Sequence, residues 1–197
     1  MMADAGPHFL YLASASPRRS ELLRQLGLRF EVVPLELDES RKNSEAGADY
    51  VCRLALKKAR KAWANLEVGR APVLAADTAV VVDDEIFGKP LNQDDAIRML
   101  TALSGREHEV FTAVTALDGS QEASRLSCTR VRFQPISKAQ MINYWQTGEP
   151  ADKAGAYAIQ GLGAVLIKEI HGSYSGVMGL PLFETARLLT GFGFYFL

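Results

Sequence analysis

The chain has 197 residues, 48% of them hydrophobic and 23% charged, with a formal net charge of −1. That length suits one domain, or one domain in two lobes, with a sizeable core. The charge balance supplies no basic field for nucleic acid, and no apolar run approaches the ~18 residues that span a bilayer. Cys52 and Cys128 lie far apart with no metal-ligand spacing. They read as reduced core or near-core thiols, which points to a cytoplasmic setting. The segment from Met1 to Pro7 lacks the charged and apolar regions of a signal peptide.

In chain order, His8 to Ala13 reads as a strand and Pro17 to Leu26 as a helix. Leu22, Leu23 and Leu26 form the apolar face of that helix, and Gly27 stops it. Arg29 to Pro34 reads as a strand, and the polar, aperiodic stretch from Leu35 to Gly47 as a loop. A longer helix is expected from Ala48 to Leu66, striped by Tyr50, Val51, Leu54, Ala55, Ala59, Ala62 and Trp63. Val73 to Ala76 is a short apolar run ending in Asp77 and Thr78; Ala79 to Val82 continues it, and Asp83 and Asp84 make a turn.

Asn92 caps a helix that runs to Leu103. Glu109 to Leu117 and Glu122 to Phe133 form a hairpin about Asp118, Gly119 and Ser120. Ser137 and Gln140 make a capping box for a helix that runs to Gln146 and is stopped by Gly148. Ala156 to Ile159 and Ala164 to Ile170 read as strands separated by a kink at Gly161 and Gly163, and a last helix begins near Pro181. Strands and helices alternating around a hairpin predict an α/β fold on a mixed sheet.

Ser14-Ala15-Ser16-Pro17-Arg18-Arg19 joins the first strand to the first helix. A helix start offers unpaired N–H groups and a positive dipole end, and arginine forks match phosphate oxygens, so the segment suits an anion. It also fits a capped surface helix, with Ser16 as N-cap and Pro17 at the first helical position. Asp77 is a carboxylate at the end of a buried strand, where ligand sites gather in open α/β sheets, or else a turn-capping aspartate. Lys89 sits on the rigid Phe87-Gly88-Lys89-Pro90 loop. Lys57, Arg60 and Lys61 read as a solvated face, whereas Lys58 lies on the margin of the apolar stripe and can reach inward. The small-residue run from Asp152 to Gly161 allows a flat ligand to approach the backbone, with Gln160 as donor and acceptor; a tight β-turn is the other reading.

His8, His108 and His171 are isolated, and Tyr174 occupies the centre of what would otherwise be a GxSxG elbow. Neither cysteine sits in a context that favours a thiolate. Cations to hold phosphates and carboxylates to hold a divalent metal remain, which suits metal-assisted attack of water on a phosphoanhydride.

The blocks LYLASASPRRSELL, AADTAVVVDDEIFGKP, LSGREHEVFTAV, DKAGAYAIQGLGAVLIKEIHGSY and GLPL, in this order, resemble the Maf family of nucleoside triphosphate pyrophosphatases, also called inhibitors of septum formation. The resemblance covers residues 8 to 190 and implies one domain over residues 1–197. It implies an α/β fold in two lobes around a cleft, like the inosine-triphosphate pyrophosphatases. The implied reaction converts a nucleoside triphosphate and water to the monophosphate and pyrophosphate with a divalent cation, Mg²⁺ or Mn²⁺. In that comparison Asp77 falls on the general base. Ser14, Arg18, Arg19, Lys58 and Lys89 fall on phosphate-binding positions, and Glu39 on a second acidic position beside the metal.

Arg18, Thr78 and Gln160 match the branch acting on dTTP and UTP; the 7-methyl-GTP branch carries Trp, Gln and Glu there. Ala75, Ala158 and Gly176 depart from the usual family residues. Family members tend to be homodimers. Besides the pyrimidine enzyme, a nucleotide-sensing regulator of cell division and a 7-methyl-GTP pyrophosphatase stand as alternatives.

Overall fold

The computed structural model describes residues 9–66 and 71–196; His8 and the N-terminal segment lie outside the described residues. β1 (Phe9–Leu12) turns into α1 (Pro17–Gln25), and Gly27 closes the helix at φ +71°, a left-handed position open to glycine. β2 (Arg29–Val32) is shorter than its apolar pattern, and α2 (Gly47–Asn65) then returns the chain to β3 (Val73–Val82). β4 (Glu85–Phe87) and α3 (Gln93–Leu103) follow, then the hairpin of β5 (Glu107–Leu117) and β6 (Glu122–Phe133). Asp118 organises that turn by accepting from the Ser120 and Gln121 N–H groups. α4 (Lys138–Gln146), three short 3-10 turns, β7 (Ile167–His171), α5 (Tyr174–Met178) and α6 (Leu182–Thr190) complete the order. Asn92 caps α3 and the Ser137–Gln140 box caps α4, both as the sequence predicts.

The seven strands form one mixed sheet in the order β2-β1-β3-β5-β6-β7, with β4 paired to β3. β1 runs parallel to both β2 and β3, and the other pairings are antiparallel. The chain therefore leaves β1 to one side through α1 and comes back to its other side through α2. That reversal opens a crevice at the carboxyl end of β1. β1 pairs with β3 only as far as Leu12 opposite Leu74, so from Ala75 onward that edge of β3 faces the crevice.

Alternation along β3 sends its side chains to two packed faces. Leu74 and Ala76 meet Leu22 and Leu23 of α1 and Leu188 and Leu189 of α6. Val73 and Ala75 pack with Ala59 and Ala62 of α2. Farther along, Val80 and Val82 join Leu100 and Leu103 of α3 and Met141 of α4. One face thus carries two apolar clusters, and Thr78 stands between them. That polar gap is the floor of the cleft between the lobes.

Several expectations are corrected. Asp77 lies mid-strand, opposite Ala113, because β3 continues unbroken to Val82. Ala156 to Ile159 is no strand; the chain makes a 3-10 turn at Ala154–Ala156, with Gly155 at φ +67°. Ala164 to Ile170 becomes strand only at Ile167, after the 3-10 turn Leu162–Leu166. Cys128 is exposed on β6 and is not a core thiol, while Cys52 is half-buried. Among the described residues, no helix is long and apolar enough to cross a membrane.

Candidate active site

The turn after β1 assembles the first part of the site. Ser16 occupies the N-cap of α1, but its side chain makes no capping bond, so the capping reading holds for position and not for the hydroxyl. The buried Ser14 hydroxyl accepts instead from the Ser16 N–H at 3.3 Å and from Arg19 Nη1 at 3.1 Å. Arg19 also donates from Nη2 to Thr78 Oγ1 at 3.2 Å and from Nε to the Gly179 carbonyl at 2.8 Å. Its guanidinium ties α1 to β3 and to the end of α5. Three of its five N–H donors are used among the described residues. Burial lowers its pKa, opposed by the negative charge of Asp77. Thr78 is held on its far side by the Thr112 hydroxyl at 3.0 Å.

Asp77 points to the opposite face of β3, towards α2, where Lys58 enters from the helix margin. The Lys58 ammonium lies 2.6 Å from Asp77 Oδ1 and 2.7 Å from Glu39 Oε1. The inward reach predicted for Lys58 is what the structure has, while Lys57, Arg60 and Lys61 are exposed. Glu39 belongs to the loop after β2, and the Tyr50 hydroxyl fixes it there by donating to its carbonyl at 3.0 Å. Asp77 is 5% exposed. Burial raises its carboxyl above the ordinary range, against the charges of Lys58 and Arg19. Asp77 Oδ2 accepts no hydrogen bond from the described residues.

A cation fits between these carboxylates, since one ammonium already bridges them. Among the described residues no three His, Cys, Asp or Glu side chains cluster as a metal cage. Carboxylate oxygens are the ligand type of hard ions such as Mg²⁺.

A cavity of about 590 Å³ opens over this centre. It is lined by Ser14, Arg18, Arg19, Glu39, Lys58, Asp77, Thr78, Lys89 and Gln160, so every candidate residue read from the sequence meets in one space. Lys89 is exposed and makes no hydrogen bond or ion pair with the described residues. Gln160 is exposed at the rim. Arg18 reaches across the opening to Asp152 Oδ2 at 3.2 Å, and Lys153 also pairs with Asp152. Asp152 and Lys153 have no motif that assigns them a role; a charged pair heading a small-residue run is the signal that marks them. His108 lies outside the cavity lining, buried, with Nε2 2.9 Å from the Tyr157 hydroxyl, and burial drops its pKa to about 4. His171 pairs with Glu169 at 3.0 Å on β7.

Comparison with known proteins adds an independent finding. A family model described as Maf-like protein matches residues 9–192. The dTTP/UTP pyrophosphatase of Methylobacillus flagellatus is 55% identical over 93% of this chain and 92% of its own length. Proteins of the same name from Saccharophagus degradans and Pasteurella multocida are 50% and 48% identical, over 93% of this chain and 88% and 95% of theirs. The solved Ham1 protein of Staphylococcus aureus is a remote likeness, with TM-score 0.47 and 11% identity over 64% of this chain and 71% of that one.

Proposed function

The chain belongs to the Maf family, and from that membership we propose that it hydrolyses dTTP and UTP to the monophosphate and pyrophosphate. The observation that carries the reading is the meeting of Asp77, Lys58 and the Arg19–Thr78 pair in one cavity. Adjacent residues of β3 there serve opposite faces, so an acid and a cationic fork border the same space.

In the proposed reaction a water oxygen bonds to the α-phosphorus while the bond from that phosphorus to the bridging oxygen breaks. The electron pair leaves with pyrophosphate, and the water proton passes to Asp77. Burial raises the proton affinity of that carboxyl, which favours the transfer. Lys58 orients Asp77 through Oδ1 and leaves Oδ2 to receive the proton. Arg18, Arg19, Lys58 and Lys89 offset the charge that builds on the leaving group, and Ser14 holds Arg19 in place. Asp77 and Glu39 would hold a divalent cation, which when bound supplies Lewis-acid charge to phosphate oxygens and acidifies neighbouring water.

Base choice follows from Arg18, Thr78 and Gln160. A glutamine amide answers the donor and acceptor edge of uracil or thymine, and Arg18 repels a cationic 7-methylguanine.

The test is pyrophosphate release by purified protein from dTTP, UTP, GTP and 7-methyl-GTP with Mg²⁺ or Mn²⁺, and again after chelation by EDTA. Release from the two pyrimidine nucleotides, lost in Asp77→Asn with nucleotide binding kept, is the expected result. Binding without turnover would favour the regulator instead, and preference for 7-methyl-GTP would reject the base assignment.

A further inference from the structure

The reaction above makes no use of Tyr144 or Glu149, yet these two close on the loop that carries Gln160. Glu149 begins the 3-10 turn just after α4. Its Oε1 accepts from the Tyr144 hydroxyl at 2.6 Å and from the Gly163 N–H at 2.9 Å, and its Oε2 accepts from the Leu162 N–H at 2.8 Å. The Tyr144 hydroxyl in turn accepts from the Ala158 N–H at 3.0 Å. Residues 158 to 163 are therefore gripped at both ends, with Gln160 between the grips and lining the cavity.

The fit is close enough to dictate residue type. A Cβ on Gly161 would collide with the Glu149 carboxylate, and one on Gly163 would lie 2.5 Å from the Tyr144 hydroxyl. These glycines allow the close approach of Glu149 and Tyr144. Burial raises the Glu149 carboxyl, but its hydrogen bonds outweigh that and hold it below the ordinary range.

We infer that Glu149, with Tyr144, is a positioning residue for base selection: by holding the 158–163 loop it sets the placement of Gln160 and so the preference for uracil and thymine. This rests on the reading that Gln160 faces the base. Glu149→Gln perturbs the grip with little change in shape, because the amide nitrogen presents a donor where Leu162 already donates.

The experiment measures kcat and KM for UTP and for GTP. The proteins are wild type, Glu149→Gln, Tyr144→Phe, Gln160→Ala and the Glu149→Gln/Gln160→Ala double variant. Glu149→Gln is expected to lower the UTP-to-GTP ratio of kcat/KM by about tenfold, the size of one lost hydrogen bond to a charged group. The loss falls mainly on the KM for UTP. Tyr144→Phe moves the ratio the same way by less, and it decides the matter if Glu149→Gln does not fold. In the Gln160→Ala background, Glu149→Gln removes no further discrimination. A loss shared equally by both nucleotides, or penalties that multiply in the double variant, overturns the inference. If Gln160→Ala itself leaves the ratio unchanged, the base-contact reading falls and takes this inference with it. A ratio that moves in Gln160→Ala but not in Glu149→Gln or Tyr144→Phe overturns the inference alone.

Discussion

Replacing Lys58 by methionine isolates the electrostatics at the centre of the site. Methionine keeps the apolar stem that packs along α2, so charge is the main loss. The ammonium it removes serves two carboxylates of unequal exposure, with side chains 8% exposed for Asp77 and 52% for Glu39. The outer pair therefore contributes at most ~1 kcal/mol, and the inner pair decides. Stripping one partner from a buried ion pair costs about 3–5 kcal/mol, and the lower end applies to an aspartate that borders an open cavity. At roughly 2–4 °C per kcal/mol for a chain of this length, a penalty of about 3 kcal/mol lowers the melting temperature by about 6–12 °C.

The penalty depends on pH. Burial already holds the Asp77 carboxyl above the ordinary range, with Lys58 the foremost opposing charge, so the substitution raises it further. A carboxyl that binds its proton more tightly in the folded than in the unfolded chain favours folding at low pH. That contribution is lost as pH rises from the ordinary aspartate range through the raised folded value. The melting difference between wild type and Lys58→Met should be larger at pH 8 than at pH 5, followed by circular dichroism. Adding Asp77→Asn to the variant should restore most of the stability at pH 8. Equal penalties at the two pH values, or no restoration, would refute the reasoning.

Arg19→Lys keeps the charge but loses the planar fork that joins Ser14, Thr78 and Gly179. We expect kcat/KM for UTP to fall about 100-fold in steady-state assays, since lysine cannot span these partners while facing a phosphate; a loss under threefold would mean that charge alone matters. His108 is held by burial at about 4, so it stays neutral in the folded protein while the unfolded chain takes up a proton below about pH 6.5. Stability is thus lost as pH falls from about 6.5 towards 4, by up to ~3 kcal/mol. His108→Phe should flatten that part of the denaturation profile; an unchanged slope over that window would count against the assignment.

Local pattern made some of the site legible and hid the rest for identifiable reasons. Lys58 could be read as inward-facing because it lies four residues from both Leu54 and Ala62, and helical periodicity alone places the three on neighbouring lines. The pairing of Asp77 with α2, and of Thr78 with α1, follows from strand alternation once β3 is known to be one continuous strand. Glu39 is legible only through family resemblance, because nothing periodic marks the loop after β2; bonds from Tyr50 and Lys58, both on α2, hold it. The stretch after α4 misled for a different reason. Its alternating apolar residues look like strands, but Gly155 adopts a left-handed conformation, and its would-be Cβ lies 2.9 Å from Val80. The N–H groups of Ala158, Leu162 and Gly163 go to Tyr144 and Glu149 and not to a neighbouring strand. Side-chain capture of a backbone across 13 or 14 residues leaves no periodic trace.

The charges of the cavity bear on what it is built to accept. Five cationic and three acidic side chains line it, in a chain whose net charge is −1, so positive charge is concentrated where the rest of the molecule has none to spare. Most of those cations are already engaged: Arg18 and Lys153 with Asp152, and Lys58 with Asp77 and Glu39. Carboxylates keep the like charges apart, and a polyanion can exchange with them at small electrostatic cost. A nucleoside triphosphate carries about four negative charges at neutral pH. The excess of two cationic side chains over acidic ones balances only half of that. A divalent ion held by Asp77 and Glu39 would balance the other half. The same arithmetic disfavours a neutral ligand, which would offer the paired arginine and lysines nothing in exchange for their carboxylates.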